Sequence, residues 1–274
     1  MGPDMGMAGT GVETVRGLVY GPSGKRLDVH RPAGAPQASG AAPTVLLWHG
    51  IGPDERDVLE PLARTAAARG LLVLVPDWRS DAADGGRAHL LESLAFVRGE
   101  AGGLGGDGES FVLAGWSAGA GAALAVALRP EIVEGWRPRA VVGVAGRYDL
   151  PARTTGTAPL DDLAADREPG VPVHLVHGSR DAVVGAHHSR DFAEALRAAG
   201  RARQVGVAGQ AGQADQVDHA MTLQEPETDH AGVIMTAYDP AADRCVPTTA
   251  EHAVRAGRVV AKVLARAAGT GSAA

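Results

Sequence analysis

The residues that could do chemistry begin with Gly115-Trp116-Ser117-Ala118-Gly119. An apolar run, Phe111 to Ala114, leads into them, and a small-residue segment, Ala118 to Leu128, follows. That order reads as strand, sharp turn and helix, the G-x-S-x-G arrangement of a nucleophilic serine. On such a turn the serine takes a strained backbone conformation and its hydroxyl projects above the sheet edge. The residues two before and two after it come close together, so both must be small, and Gly115 and Gly119 meet that need. The Ala118 N–H would stand at the start of the helix, where unpaired donors and the helix dipole favour a developing negative charge. The chemistry implied is attack by the Ser117 hydroxyl on an acyl carbon. The plain alternative is a serine that only caps the helix.

A serine hydroxyl needs a base, and the base needs a group to orient it. Asp181 fits the orienting acid: it closes His177-Gly178-Ser179-Arg180-Asp181, directly after the apolar run Val171 to Val176. Asp161 and Asp191 are its competitors, on loop or helix. Ten histidines are present, and two suit the base. His230 is followed by Ala231-Gly232-Val233-Ile234, small then apolar, as for a loop passing near the serine. His219 is the alternative, followed by what reads as a strand. His49 precedes a glycine turn and reads as structural there. His177 precedes the acid turn, His187 and His188 begin a helix, and His30, His89, His174 and His252 lack a compelling context. A second oxyanion donor should come from His49-Gly50-Ile51-Gly52, with Ile51 first and Gly52 second. Trp78, Trp116 and Tyr148 are candidates for the substrate pocket, ordinary core packing being the competing reading. No His-Glu-x-x-His, paired-cysteine or Asp-rich calcium pattern occurs, so neither metal nor cofactor is expected.

These residues need elements to hold them. Val15 to Tyr20 and Lys25 to His30 read as strands around the turn Gly21-Pro22-Ser23-Gly24. Thr44 to Trp48, Leu71 to Val75, the elbow strand, Ala140 to Ala145 and Val171 to Val176 are nearly uniform apolar runs, which suits parallel strands covered on both faces. Helices are expected over Asp57 to Arg69, Ala88 to Gly99, Ala118 to Leu128, His188 to Ala199 (ended by Gly200) and Thr248 to Ala267. The last strand is read as His219 to Gln224 in preference to Arg203 to Val207. Strands alternating with helices build a mostly parallel sheet whose sites form at the carboxyl ends of the strands. The candidates stand at such ends. The glycine-rich stretch 102–108 lacks a phosphate-loop pattern and reads as a connector, and 206–213 reads as a surface insertion. Residues 151–170 leave room for at most a short helix, so no large lid is expected. Arg255, Arg258, Lys262 and Arg266 share one face of the final helix and read as its solvated side.

With 274 residues the chain can bury a large core. A net charge of −6 with scattered basic residues argues against nucleic-acid partners. Cys245 is the sole cysteine, which excludes an intramolecular disulfide. The first thirteen residues lack the apolar core of a signal peptide, and no apolar run reaches membrane-spanning length. The expectation is a soluble cytoplasmic protein with no membrane partner, monomer or homodimer being open. One domain is expected over 14–267, with flexible tails at 1–13 and 268–274.

Taken with Leu27-Asp28-Val29-His30-Arg31-Pro32, His49-Gly50-Ile51-Gly52 and Gly146-Arg147-Tyr148-Asp149-Leu150, the elbow makes residues 14–267 resemble the α/β-hydrolase family. The order Ser117, Asp181, His230 is the one that fold uses. The chain is most similar to small carboxylesterases of the feruloyl-esterase-like, hormone-sensitive-lipase-like and kynurenine-formamidase-like branch. It departs from them in having His-Gly-Ile-Gly where His-Gly-Gly-Gly is usual, and in lacking Tyr-Arg-Leu after Asp77. The resemblance implies a mostly parallel sheet with an N-terminal antiparallel hairpin, helices on both faces and a minimal cap. It also implies cofactor-free cleavage of small or short-acyl esters through an acyl-enzyme. Two alternatives stay open: the same triad acting on an amide, as in a formamidase or small peptidase, and a non-catalytic binding protein of the same fold. Serine at the elbow, where a dehalogenase has aspartate and a dienelactone hydrolase normally cysteine, argues against both of those.

Overall fold

A computed structural model describes residues 11–34, 41–207 and 221–270. Its elements in chain order are β1 (Val12–Tyr20), β2 (Lys25–Pro32), β3 (Thr44–Trp48), α1 (Arg56–Ala67), β4 (Leu72–Pro76), α2 (Arg87–Glu100), β5 (Val112–Trp116) and α3 (Ala118–Leu128). Then follow β6 (Ala140–Val144), α4 (Pro159–Ala164), β7 (Val173–Val176), α5 (His187–Val207), β8 (Met221–Gln224), β9 (Thr236–Asp239), β10 (Arg244–Pro247) and α6 (Glu251–Ala267).

Eight strands form one sheet in the order β1-β2-β4-β3-β5-β6-β7-β8. The pairs β1–β2 and β2–β4 are antiparallel, and every pair from β4–β3 to β7–β8 is parallel. Strands β4, β5 and β6 are apolar at every position, and β3 at all but Thr44, because both faces are covered. Leu46, Trp48 and Leu113 pack with Leu90 and Leu94 of α2, Leu124 of α3 and Phe192 of α5. The alternate residues Val45, Leu47, Val112 and Ala114 pack on the other face with Leu59 and Leu62 of α1 and Val260 and Leu264 of α6. Side chains of successive strand residues point to opposite faces, so a strand sandwiched between helices needs both sets apolar. Arg255, Arg258, Lys262 and Arg266 of α6 lie exposed on the far side of that helix.

The structure corrects several expected boundaries. The sheet begins at Val12, which pairs with Pro32, so Val12 and Glu13 are strand rather than tail. Helix α5 runs through Gly200 to Val207. A helical glycine costs about 1 kcal/mol relative to alanine, and the packing of Phe192, Ala193 and Leu196 into the core outweighs it. Only α4 forms within 151–170. The antiparallel pair β9–β10 was not foreseen. Met221 opens the last strand of the large sheet, beside β7. His219 and most of the low-complexity stretch 206–213 lie outside the described residues. Among the described residues, no helix is long and apolar enough to cross a membrane.

Candidate active site

Strand β5 ends at Trp116 and α3 begins at Ala118, which leaves Ser117 alone to turn the chain. It does so at φ 55°, ψ −120°, a conformation costing about 1–3 kcal/mol for a residue with a side chain. The turn is held by the Ser117 N–H, which donates to Val144 O of the neighbouring strand at 2.9 Å. It is also as crowded as its glycines require. A Cβ at Gly115 would lie 2.1 Å from the Gly119 carbonyl oxygen, and one at Gly119 would lie 2.5 Å from the carbonyl oxygens of Trp48 and His49. Ser117 and Ala118 are both partly exposed. The Ala118 N–H is the first of the helix and has no partner within a preceding turn.

Asp181 lies on the turn after β7. Its Oδ1 accepts the N–H groups of Val183 (2.9 Å) and Val184 (2.8 Å). Its Oδ2 faces two histidines, His230 Nδ1 at 2.7 Å and His177 Nε2 at 3.2 Å. Burial pushes this carboxyl's pKa up, but the hydrogen bonds from His177, His230 and Val184 outweigh it and hold the group well below the usual carboxylate range. A carboxylate on His230 Nδ1 fixes the proton there and leaves Nε2 as the basic nitrogen. The loop carrying His230 is locked to the acid turn: Arg180 N–H donates to Thr228 O at 2.9 Å, and a Cβ at Gly178 would lie 2.5 Å from that same oxygen. The loop is also fastened to the elbow. Trp116 Nε1–H donates to His230 O at 3.1 Å, and the two rings are tilted with centroids 5.0 Å apart. Asp161 and Asp191, the competing acids, are exposed on α4 and α5.

The loop after β3 completes the surround. His49 is fully buried and stacks on Trp78 with centroids 5.3 Å apart. Its Nε2 accepts the Trp78 N–H (3.3 Å), so Nδ1 carries the proton and donates to Gly50 O (2.9 Å). Burial lowers the His49 pKa to about 4, which keeps the ring neutral. The turn so braced brings Gly50 against the serine: a Cβ there would lie 3.1 Å from Ser117 Cβ and 3.0 Å from the Trp116 ring. Ile51 and Gly52 follow directly, the Ile51 side chain exposed.

No protein-family model and no curated protein matches the sequence. Many solved structures do match. Thermogutta terrifontis esterase 2 superposes with a TM-score of 0.65 at 18% identity, covering 99% of this chain and 98% of that one. A carboxyl esterase 2 from the mycorrhizal fungus Tuber melanosporum gives 0.62 at 16% identity, covering 97% and 89%. Brefeldin A esterase, a bacterial homologue of human hormone-sensitive lipase, gives 0.60 at 17%, covering 98% and 79%. The chain has the α/β-hydrolase fold.

Within the α/β-hydrolase fold two of the three aromatic pocket candidates must be reassigned. Trp78 and Tyr148 have no exposed surface. Trp78 braces the loop after β3, its indole N–H donating to His49 O at 3.2 Å. Tyr148 packs on Phe192 with centroids 4.9 Å apart, and its hydroxyl presses on Gly143 and Gly146. Both are core supports of the site, not walls of a pocket, because large rings next to the strand ends bury more surface beneath the loops than above them. Trp116 keeps a 5% exposed edge beside Ser117.

Two residues near the site escaped sequence reasoning. His177 is fully buried and touches the same carboxylate oxygen as His230. Its position four residues before Asp181, ahead of a glycine, was the available signal. Glu55 precedes α1 with its carboxyl against Gly52 and one buried oxygen lacking a hydrogen-bond partner. Burial raises its pKa to about 7. Nothing in its local sequence marks it.

Proposed function

We propose that the protein is a serine hydrolase that cleaves carboxylic esters of small or short-acyl compounds. The observation that carries this reading is the 2.7 Å pairing of Asp181 with His230 Nδ1, on a loop hydrogen-bonded to Trp116, the residue next to the strained Ser117. In the reaction His230 Nε2 takes the Ser117 proton as the hydroxyl oxygen attacks the ester carbonyl. Asp181 orients the imidazole and stabilises its protonated form. The oxyanion accepts hydrogen bonds from the N–H groups of Ala118 and Ile51, with Gly52 as the alternative second donor. The alcohol leaves with the proton from His230. Water, deprotonated by the same nitrogen, then releases the acid and restores Ser117. These steps use groups of the chain, the ester and one water. The short α4, six residues long, supports an open site and compact substrates. The esterase names of the structural neighbours support the ester as substrate, and one of them is phosphorylated by paraoxon.

The test is turnover of p-nitrophenyl acetate and butyrate by wild type, Ser117→Ala, His230→Ala and His219→Ala. Loss in the first two variants alone supports the reading. Loss in His219→Ala with His230→Ala active moves the base to His219. A wild type that neither turns over the esters nor is labelled by a fluorophosphonate overturns it in favour of a binding protein. The matching p-nitroanilides separate ester from amide specificity.

A further inference from the structure

We infer that His177 is a positioning residue for the proposed triad: it holds the Asp181 carboxylate and limits how much of its charge reaches His230. The inference rests on the reading of Ser117, Asp181 and His230 given above.

Asp181 Oδ2 has two imidazole partners, not one. His177 Nε2 lies 2.7 Å from Val184 O and 3.2 Å from Asp181 Oδ2. A carbonyl oxygen can only accept, so Nε2 carries the proton, donates it to Val184 O and keeps the positive end of that N–H 3.2 Å from Asp181 Oδ2. His177 Nδ1 lies 2.7 Å from Ser189 Oγ, in the first turn of α5. In the neutral ring that nitrogen accepts the serine proton. Both His177 and Ser189 are fully buried, so no water competes for these bonds. The backbone of His177 is held as well, its N–H donating to Gln224 O of β8 at 2.9 Å.

The result is a buried row, Ser189 to His177 to Asp181 to His230, anchored at one end in α5 and at the other by Trp116. His177 acts on the acid loop twice, gripping both the carboxylate and Val184, whose own N–H donates to Asp181 Oδ1. The other charged groups around the turn are engaged elsewhere. Arg180 pairs with Glu227, Asp229 accepts the Gly232 N–H, and His188 pairs with Asp149. His177 and His230 are therefore the side chains that share Asp181. A carboxylate that donates part of its charge to one hydrogen-bond donor has less for the other. Removing the His177 donor leaves Asp181 less well aimed and more basic toward His230. The first effect lowers the rate. The second favours protonated His230 and moves the low-pH limb of kcat/KM to higher pH.

Two near-isosteric variants separate positioning from packing. His177→Gln places an amide N–H near the position of Nε2 and keeps an N–H beside Asp181 and Val184 O. His177→Asn places its amide near Nδ1, so it keeps the contact with Ser189 and loses that donor. We expect His177→Asn to lower kcat about 10- to 100-fold, the rate equivalent of a lost N–H contact with a buried charged group. KM for p-nitrophenyl acetate stays within about twofold, since the lost bond acts on the transition state and not on ground-state binding. The low-pH limb moves up, and His177→Gln restores both rate and limb. The downfield proton resonance of the His230–Asp181 hydrogen bond gives a readout independent of turnover. It shifts in His177→Asn and returns in His177→Gln. Should His177→Asn fail to fold, Ser189→Ala, which frees the His177 ring behind the acid, is expected to give the same shift of limb and resonance in weaker form.

Wild-type values of kcat, limb and resonance in His177→Asn overturn the inference and leave the proposed function standing. Equal losses in the Asn and Gln variants, tracking a lowered Tm, also overturn it, because that is the behaviour of packing alone. A wild type no faster than Ser117→Ala overturns the proposed function, and the inference falls with it.

Discussion

The indole N–H of Trp116 donates to the backbone carbonyl of His230 at 3.1 Å, joining residues 114 positions apart in the chain. Trp116 is the last residue before Ser117, so this bond ties the loop of the proposed base to the turn of the proposed nucleophile. Trp116→Phe keeps most of the ring packing against His230 and removes only the donor. We expect kcat to fall about 3- to 10-fold, the equivalent of one neutral hydrogen bond, with little change in KM. Steady-state kinetics on p-nitrophenyl acetate checks this, and an unchanged kcat would show that the tie does not position the base.

Asp181→Asn keeps the shape of the acid and reverses the hydrogen-bond preference of one terminal atom. An amide N–H directed at His230 Nδ1 calls for the wrong tautomer of the imidazole. If the proposed triad holds, a fall in kcat of about 10⁴-fold is expected, as for the equivalent change in a well-characterised Ser-His-Asp triad. Ser117→Ala should lose at least as much and should also abolish labelling by a fluorophosphonate, read by intact-protein mass. Survival of labelling would place the nucleophile elsewhere.

The same carboxylate makes stability depend on pH. Its folded pKa is depressed by hydrogen bonds from His177, His230 and Val184 in spite of burial. The stabilisation is therefore present above the unfolded aspartate value of about 4 and is lost as pH falls below it. Wild type should exceed Asp181→Asn in Tm at pH 6, and the gap should narrow toward pH 3. A scan of Tm against pH for both proteins tests it. A constant gap would mean that the folded carboxyl is not depressed.

Glu55 predicts the opposite sign. Burial raises its folded pKa to about 7, above the unfolded glutamate value of about 4.3. Folding then favours the protonated form, and stability declines as pH rises from the unfolded value to the folded one. Glu55→Gln should match wild type near pH 4 and exceed it by a few degrees in Tm at pH 8. Calorimetry at the two pH values decides the matter, and equal Tm differences at both would refute it.

Two glycines separate the site from the scaffold. A Cβ at Gly115 meets the Gly119 carbonyl oxygen at 2.1 Å, and backbone cannot give way there. Gly115→Ala should destabilise the fold by more than about 2 kcal/mol. At Gly50 the nearest atoms are Trp116 ring carbons and Ser117 Cβ at 3.0–3.1 Å, a contact that small shifts relieve. Gly50→Ala should fold with a Tm near that of wild type and lose about tenfold or more in kcat/KM, because a misplaced nucleophile is costly in rate. Urea denaturation and kinetics on the two variants test the contrast.

The chain alone determined what local chemistry can determine. Apolar runs specify strands buried on both faces. Gly115 and Gly119 specify a turn too tight for side chains, and Ser117 between them follows from that spacing. Asp181 stands where polar residues follow the apolar run Val171 to Val176, while the sequence left His230 and His219 both open as the base. Other features were settled only when the chain closed on itself. Gly200 stays helical because Phe192, Ala193 and Leu196 anchor the helix around it. Trp78 and Tyr148 look in sequence like pocket residues, yet the loops fold over them and bury their rings entirely. The pairing β9–β10 depends on a register between two short, mixed segments with little periodic signal of their own. His177 was visible as a residue but not as a partner of Asp181. A contact of 2.7 or 3.2 Å with one carboxylate oxygen depends on the mutual placement of a strand end, a turn and a helix, and sequence spacing carries no information on that scale.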